Sequence, residues 1–242
     1  MKLLEKYSSQ VVKFIKVCSR LARNMYVTGH GGNLAWKLEP DLVLITPTQM
    51  NKGDIQTEDV VFIDLAGRVV EGNRRPTGEK PMYLNFFSER ADIVSVLHCH
   101  PPAVCAMAIM KGKNWLMRPF YPETTIEVGP VPVVPYAEPL TDQLAQNFSP
   151  FLSKYNGFIM ENHGLVAMSR GDIEWTALNV EVLEATAQSI LMALRAGGEV
   201  KELDREAVTK LENTMKARNL PLFGAPGVNS SLEALYFDTA EG

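Results

Sequence analysis

The stretch "ADIVSVLHCHPPAVCAMAIM", residues 91–110, changes character at Pro101. Up to His100 it reads as a strand, and from Pro101 it reads as a helix with proline in its first turn. Successive side chains of a strand point to opposite faces, so residues i and i+2 share one. His98 and His100 therefore stand side by side, with Cys99 pointing the other way. The chain contains four histidines, so half of them fall within three residues. Such a pair is either a metal-binding edge or two histidines that landed together by chance.

The flanking sequence shows what kind of fold holds that strand. Upstream, a helix is expected over residues 3–26, ended by "TGHGGN" (28–33), which has three glycines in six residues. Short strands follow in "LAWKL", "DLVLITP", "DVVFIDL" and "RVVEG", with a turn at Ala66-Gly67. They lie too close together for long crossover helices, so antiparallel pairing is expected. Residues 77–90 read as a helix. Downstream, "VGPVPVVPY" is extended and "LTDQLAQNFSPFL" is helical. "NGFIMENHGLVAMS" forms two strands around a tight turn at Asn162-His163-Gly164, and a long helix covers about 171–196, ending at Gly197-Gly198. No linker or repeat divides the chain. The expectation is a single α/β domain over residues 1–242, three layers (α/β/α) around a mostly antiparallel sheet, with a C-terminal tail at about 221–242. No GxGxxG follows a strand and no P-loop is present, so a dinucleotide or Walker-type site is unsupported.

Composition narrows the function. Apolar residues make up 46% and charged residues 21% of 242 positions, as in ordinary globular proteins. A net charge of −4 argues against nucleic-acid and membrane partners, because neither phosphate backbones nor anionic lipids attract such a surface. The N-terminal segment is broken by Lys13, Lys16, Arg20 and Arg23, unlike a signal peptide. No apolar run approaches the ~18 residues of a membrane span. Cys18, Cys99 and Cys105 form no paired framework and read as buried thiols, which implies a reducing, cytoplasmic setting.

A third histidine, His163, sits in "ENHGLV" between apolar segments. A lone buried histidine is more often a satisfied core residue than a ligand. Three of four in such places are harder to assign to chance. Two imidazoles on one strand edge and a third on a turn elsewhere is a usual supply for a three-histidine divalent site. Cys99 faces away and no fourth soft ligand is apparent, so such a site would keep an open position, as a Lewis acid requires.

The motifs "GGNLA" (31–35), "LITPT" (44–48), "RRPTGEKPMY" (74–83), "VLHCH" (96–100), "VPVVPYA" (131–137) and "ENHGLVAM" (161–168) occur in the order and spacing of a known family, followed by "EVLEATAQ" (181–188). Over about residues 10–195 the chain resembles the class II aldolase/adducin family, and within it the L-fuculose-1-phosphate and L-rhamnulose-1-phosphate aldolases. The resemblance implies metal ligation by His98, His100 and His163, with zinc the first expectation and manganese or cobalt the alternatives. It implies an acid/base role for Glu79, which ends Pro76-Thr77-Gly78-Glu79. It also implies a phosphate site on Gly32, Asn33, Thr48, Thr77 and Gly78, and a proton-donating Tyr121 that acts across a subunit interface in a homotetramer. Glycines let a backbone approach an anion closely, and residues 77–78 open an expected helix, where free N–H groups favour phosphate.

This sequence departs from the aldolase pattern on those phosphate loops. It has His30-Gly31-Gly32-Asn33 where Thr-Ala-Gly-Asn is usual, Gln49 where glycine is usual, and Thr77-Gly78 where two serines are usual. His30 either adds a cation to an anion site or simply lies in the loop. The implied reaction is cleavage of a ketose 1-phosphate to dihydroxyacetone phosphate and an aldehyde through an enediolate that a divalent ion stabilises. The same resemblance covers sugar-phosphate dehydratases, decarboxylases and 4-epimerases. A non-catalytic adducin-like binding module is the remaining alternative; such modules lack the metal histidines. The tail residues Leu235, Tyr236 and Phe237 are too apolar for a free end, and packing on a neighbouring subunit is expected of them.

Overall fold

Pro101 does mark the change: Ser95–Cys99 is a strand and Pro102–Ala108 a helix in the computed structural model, which describes residues 2–238. In chain order the strands are β1 (Asn33–Glu39), β2 (Leu42–Ile45), β3 (Val61–Ile63), β4 (Val69–Glu71), β5 (Ser95–Cys99), β6 (Val133–Val134), β7 (Gly157–Met160) and β8 (Gly164–Ser169). The helices are α1 (Leu3–Lys6), α2 (Ser8–Arg23), α3 (Lys80–Glu89), α4 (Pro102–Ala108), α5 (Pro122–Glu127), α6 (Asp142–Leu152), α7 (Ile173–Arg195), α8 (Arg205–Ala217) and α9 (Leu232–Phe237).

The strands form one sheet in the order β4-β3-β2-β1-β5-β8-β7-β6. Six neighbouring pairs are antiparallel and the edge pair β6–β7 is parallel, so the sheet is mixed. The parallel edge arises because α6 lies between β6 and β7 in the chain and supplies the crossover that a parallel pair needs. Antiparallel pairing elsewhere follows from short connections, such as the β7–β8 turn, where Asn162 takes a positive φ of 54°.

Alternation along the strands divides the core in two. Leu34, Leu44, Leu97, Cys99 and Leu165 join one apolar cluster, with α2, α4 and α7 packed on it. Ala35, Ile45, Val96, Val166 and Met168 join the other, against α3, α6, α8 and α9. By length and composition α7 could cross a membrane. Its Ile173, Ala177, Val180, Leu183, Ala187 and Ile190 are buried against the rest of the protein, so it is a core helix. Glu184, also fully buried, accepts hydrogen bonds from the N–H groups of Ala103 and Val104, at 3.0 Å each. One carboxylate from α7 thus satisfies two free amides at the start of α4, the helix that leaves the H-x-H strand.

Three sequence expectations change. The first helix is two, with Tyr7 between α1 and α2 in a non-helical conformation, and it ends at Arg23 rather than residue 26. The helices α5 and α8 were not anticipated, although α8 carries its own signal, since the Asp204 carboxylate caps it through the Ala207 N–H at 2.8 Å. The tail does not wait for a neighbour. Leu235 and Tyr236 are 4% and 3% exposed and pack with Val208, Met215 and Phe223 of the same chain, while Phe237 leans on that cluster. Glu212 fixes the start of α9 by accepting from the Leu232 N–H at 2.8 Å.

Leu235→Ala should therefore cost ~2–5 kcal/mol, as for other buried leucines. Urea unfolding should show the same loss at every protein concentration; a loss that appears only on dilution would return the tail to a neighbouring subunit.

Candidate metal centre and active site

The site lies where the central strands end. Asn33 of β1 pairs with His98 of β5, which pairs with Val166 of β8. Alternation then puts Asn33 and His98 on the face shared by Ala35, Val96 and Val166, while Cys99 is buried on the opposite one. His100 follows one residue beyond the strand, and its ring returns to the pair, with its Nε2 at 3.2 Å from Nε2 of His98. His163 arrives from the β7–β8 turn, so that one ring nitrogen from each of the three lies within 4.8 Å of the others.

Glycines make room for this gathering. A Cβ on Gly164 would stand 2.6 Å from the His100 ring and 2.7 Å from the Cys99 carbonyl. Gly32 has a φ of +67°, and a Cβ there would meet the His98 carbonyl at 2.9 Å. Only glycine fits either position without displacing a histidine.

The donor set suits a divalent ion. The His98 Nδ1–H donates to the Leu165 carbonyl at 3.0 Å, which fixes the tautomer and leaves Nε2 with a free lone pair. Tetrahedral zinc, with Zn–N bonds of ~2.0–2.1 Å, separates its ligand nitrogens by about 3.3 Å, close to the spacing of the first two imidazoles. Burial, then the neighbouring histidines, push His100 down to about 3. Burial, then His98, push His163 down to about 4. Both are neutral near pH 7, the form that coordinates metal. The Nδ1 of His163 is buried without a partner.

Glu79 sits at the N-terminus of α3, with its carboxylate 3.7 Å from His98 Nε2 and 4.0 Å from His163 Nε2. Burial opposes its ionisation, but electrostatic attraction to His98 and a hydrogen bond from Asn33 outweigh it, so its pKa is lowered. Asn33 Nδ2 donates to Glu79 at 2.6 Å. The Tyr83 hydroxyl, fully buried on α3, lies 2.6 Å from Asn33 Oδ1 and turns that amide so its nitrogen faces the carboxylate. Tyr83 was not anticipated. Its signal is the i, i+4 spacing from Glu79, which places both on one side of a helix start.

Two of the loops expected to bind phosphate are tied together by backbone bonds. Thr48 N–H donates to Arg75 O at 3.0 Å, and Thr77 N–H donates to Thr46 O at 3.0 Å. Those amides are thereby occupied, and the Thr77 hydroxyl accepts from the Glu79 N–H at 3.3 Å. Gln49 occupies the left-handed region with φ 57°, where its usual glycine would be unstrained. Lys52, a second residue the sequence reading passed over, lies buried behind these loops and donates to His30 O at 3.0 Å. His30 itself is exposed. Tyr121 is not joined to this group in the described residues. It is 43% exposed at the N-terminus of α5.

The class II aldolase and adducin N-terminal domain matches residues 12–191. A 3-oxo-tetronate 4-phosphate decarboxylase of Pectobacterium atrosepticum is 29% identical over 182 residues, 74% of this chain and 83% of that one. An L-fuculose phosphate aldolase of Methanococcus maripaludis is 32% identical over 178 residues, 74% of this chain and 94% of that one. The crystal structure of YgbL from Klebsiella pneumoniae, described as an aldolase, epimerase or decarboxylase, superposes with a TM-score of 0.78 at 28% identity, covering 84% of this chain and 98% of that one.

Replacing His98, His100 or His163 singly with alanine should abolish stoichiometric divalent metal, measured by elemental analysis, while circular dichroism keeps its wild-type shape. Full occupancy in any one variant would remove that residue from the ligand set. In metal-free protein, His100 and His163 titrate below their usual 6.5, so the unfolded chain binds protons that the folded chain refuses from about 6.5 down to about 4 for His163 and about 3 for His100. Stability should therefore fall as pH drops through that window, with the lowered Glu79 adding to the loss below 4.5. Urea midpoints at successive pH values read this directly, and a flat profile would contradict it.

Proposed function

The chain belongs to the class II aldolase and adducin family, and from that premise we propose that it cleaves a ketose 1-phosphate to dihydroxyacetone phosphate and an aldehyde. The single observation that carries this reading is Glu79, a buried carboxylate 3.7 Å from His98 and 4.0 Å from His163 at the edge of the histidine cluster. A divalent ion, zinc first, held by His98, His100 and His163 would supply Lewis acidity at the substrate carbonyl.

The remaining work falls to the chain itself. Glu79 is the proton carrier: ionised near neutral pH, it accepts a proton at one carboxylate oxygen and returns it to the carbon left electron-rich by bond cleavage. Asn33, oriented by Tyr83, holds Glu79 Oε2 and keeps the other oxygen free for that exchange. The Thr48 and Thr77 hydroxyls and the Gly78 N–H bind the phosphate, with Gly32 and Asn33 closing the third side. The half-exposed Tyr121 exchanges a proton with the aldehyde oxygen of a substrate bound in a neighbouring subunit of a homotetramer. The retained histidines and Glu79 disfavour a binding module without catalysis.

A second reading is favoured by a specific observation, the similarity to a 3-oxo-tetronate 4-phosphate decarboxylase. Loss of CO2 next to a carbonyl leaves the same electron-rich carbon as loss of an aldehyde. The metal ligands and Glu79 would keep their roles, and only the leaving fragment would differ.

Glu79→Gln should keep its metal and lose ~10²–10⁴-fold in kcat, because an amide cannot carry the proton. A variant within a few-fold of wild type would put the proton carrier elsewhere. Metal-loaded wild type, offered ketose 1-phosphates with a coupled assay for dihydroxyacetone phosphate, should release it. CO2 from a phosphorylated 3-oxo acid, without any triose phosphate from the ketoses, would replace the first reading with the second.

A further inference from the structure

Lys52 is 2% exposed and is among the largest fully buried side chains of the protein. No carboxylate lies within salt-bridge distance of it among the described residues. Its Nζ donates to two backbone carbonyls, His30 O at 3.0 Å and Met50 O at 2.8 Å. Burying an ammonium without a counter-ion is costly, and lysine is almost never fully buried unless paired. A site that supplies a mobile anion of its own would complete it.

Its position indicates what that anion is. His30 precedes Gly31-Gly32-Asn33 on the first anion loop, and Met50 follows Thr48-Gln49 on the second. One ammonium therefore ties together two of the three loops on which this sequence departs from the aldolase pattern. The single helical turn that carries it, Lys52–Asp54, is itself fixed, since Asn51 Oδ1 accepts from the Gly53 N–H at 2.8 Å. Burial lowers the Lys52 pKa, while Cys18 and then Glu79 work to raise it. Cys18, also beside it, is pushed up to about 12 by burial and stays a neutral thiol.

We propose that Lys52 is a positioning residue for phosphate specificity: it locks the 28–33 and 47–51 loops in register and places a fixed positive charge behind them that favours a phosphorylated substrate over its unphosphorylated analogue. This rests on the proposed sugar-phosphate chemistry of the same site. An ammonium held in a low-dielectric interior acts on a nearby anion with little screening, which a surface lysine would not. Gln49 in its left-handed conformation is held in place by the same clamp, because its neighbour Met50 is one of the two carbonyls that Lys52 grips.

The test compares wild type, Lys52→Met, Lys52→Gln and Lys52→Arg, each metal-loaded. Two quantities are read: the ratio of kcat/KM for a ketose 1-phosphate to that for the free ketose, and the inhibition constant of inorganic phosphate. Both neutral variants should lower the ratio by about 10–100-fold and weaken phosphate inhibition in step, mainly through KM, while Lys52→Arg, which keeps the charge, retains most of both. A purely structural clamp would lower the melting temperature and depress both substrates equally, and that result would overturn the assignment. Loss of the fold in both neutral variants would likewise make Lys52 structural. If wild type shows neither a preference for phosphorylated ketose nor inhibition by phosphate, the functional reading itself fails. If wild type shows both and Lys52→Met matches it, only the Lys52 assignment fails.

Discussion

The alternation of side chains along β5 has to satisfy two surfaces at once. Leu97 and Cys99 go into the cluster under α2, α4 and α7, while Val96 goes into the opposite one. His98, next on the Val96 side, reaches the sheet end between Val166, the last of that apolar face on β8, and the polar Asn33 on β1. A slip of one residue in the pairing would bury His98 among leucines and expose Cys99 to the site. The register of β1, β5 and β8 is therefore the constraint on which the histidine cluster depends. The hydrophobic cost of breaking it on both faces is what holds it.

Around that register the electrostatics are arranged by burial. Two imidazoles, His100 and His163, are kept neutral by desolvation, and the Glu79 carboxylate is kept ionised despite it, because attraction to His98 and the Asn33 hydrogen bond outweigh the loss of water. The Tyr83–Asn33–Glu79 chain has every member's orientation set by the next, so the carboxylate has little freedom to turn away. Glu184 works at longer range: by holding the first amides of α4, it anchors the helix that begins two residues after His100. A buried carboxylate from the opposite layer is thus part of the support for the same end of the sheet.

The similarity to both an aldolase and a decarboxylase fits a centre of this kind. Three histidines that could hold a divalent ion, beside an ionised carboxylate, would under the proposed reading stabilise an electron-rich carbon next to a carbonyl whatever group departs. Under that reading what distinguishes substrates would lie in the loops, and it is there, at His30, Gln49, Thr77 and Gly78, that this chain departs from the aldolase pattern.

Much of the centre was legible in the sequence because its signals are local. H-x-H at a strand end puts two imidazoles on one side by alternation, and the glycine after His163 leaves room for the His100 ring to approach. Strand positions followed from alternation, and the α3, α6 and α7 helices from period and punctuation. The tertiary structure decided what depends on partners far away in the chain. It set the parallel edge at β6–β7, which two paired residues could not announce, and the return of α9 onto its own chain, since apolarity says that a segment is covered but not by what. It also decided Lys52, where a residue type that is nearly always solvated is buried because carbonyls 2 and 22 residues away converge on it. Local pattern encodes which face a side chain takes, and only the folded chain determines which distant group meets it there.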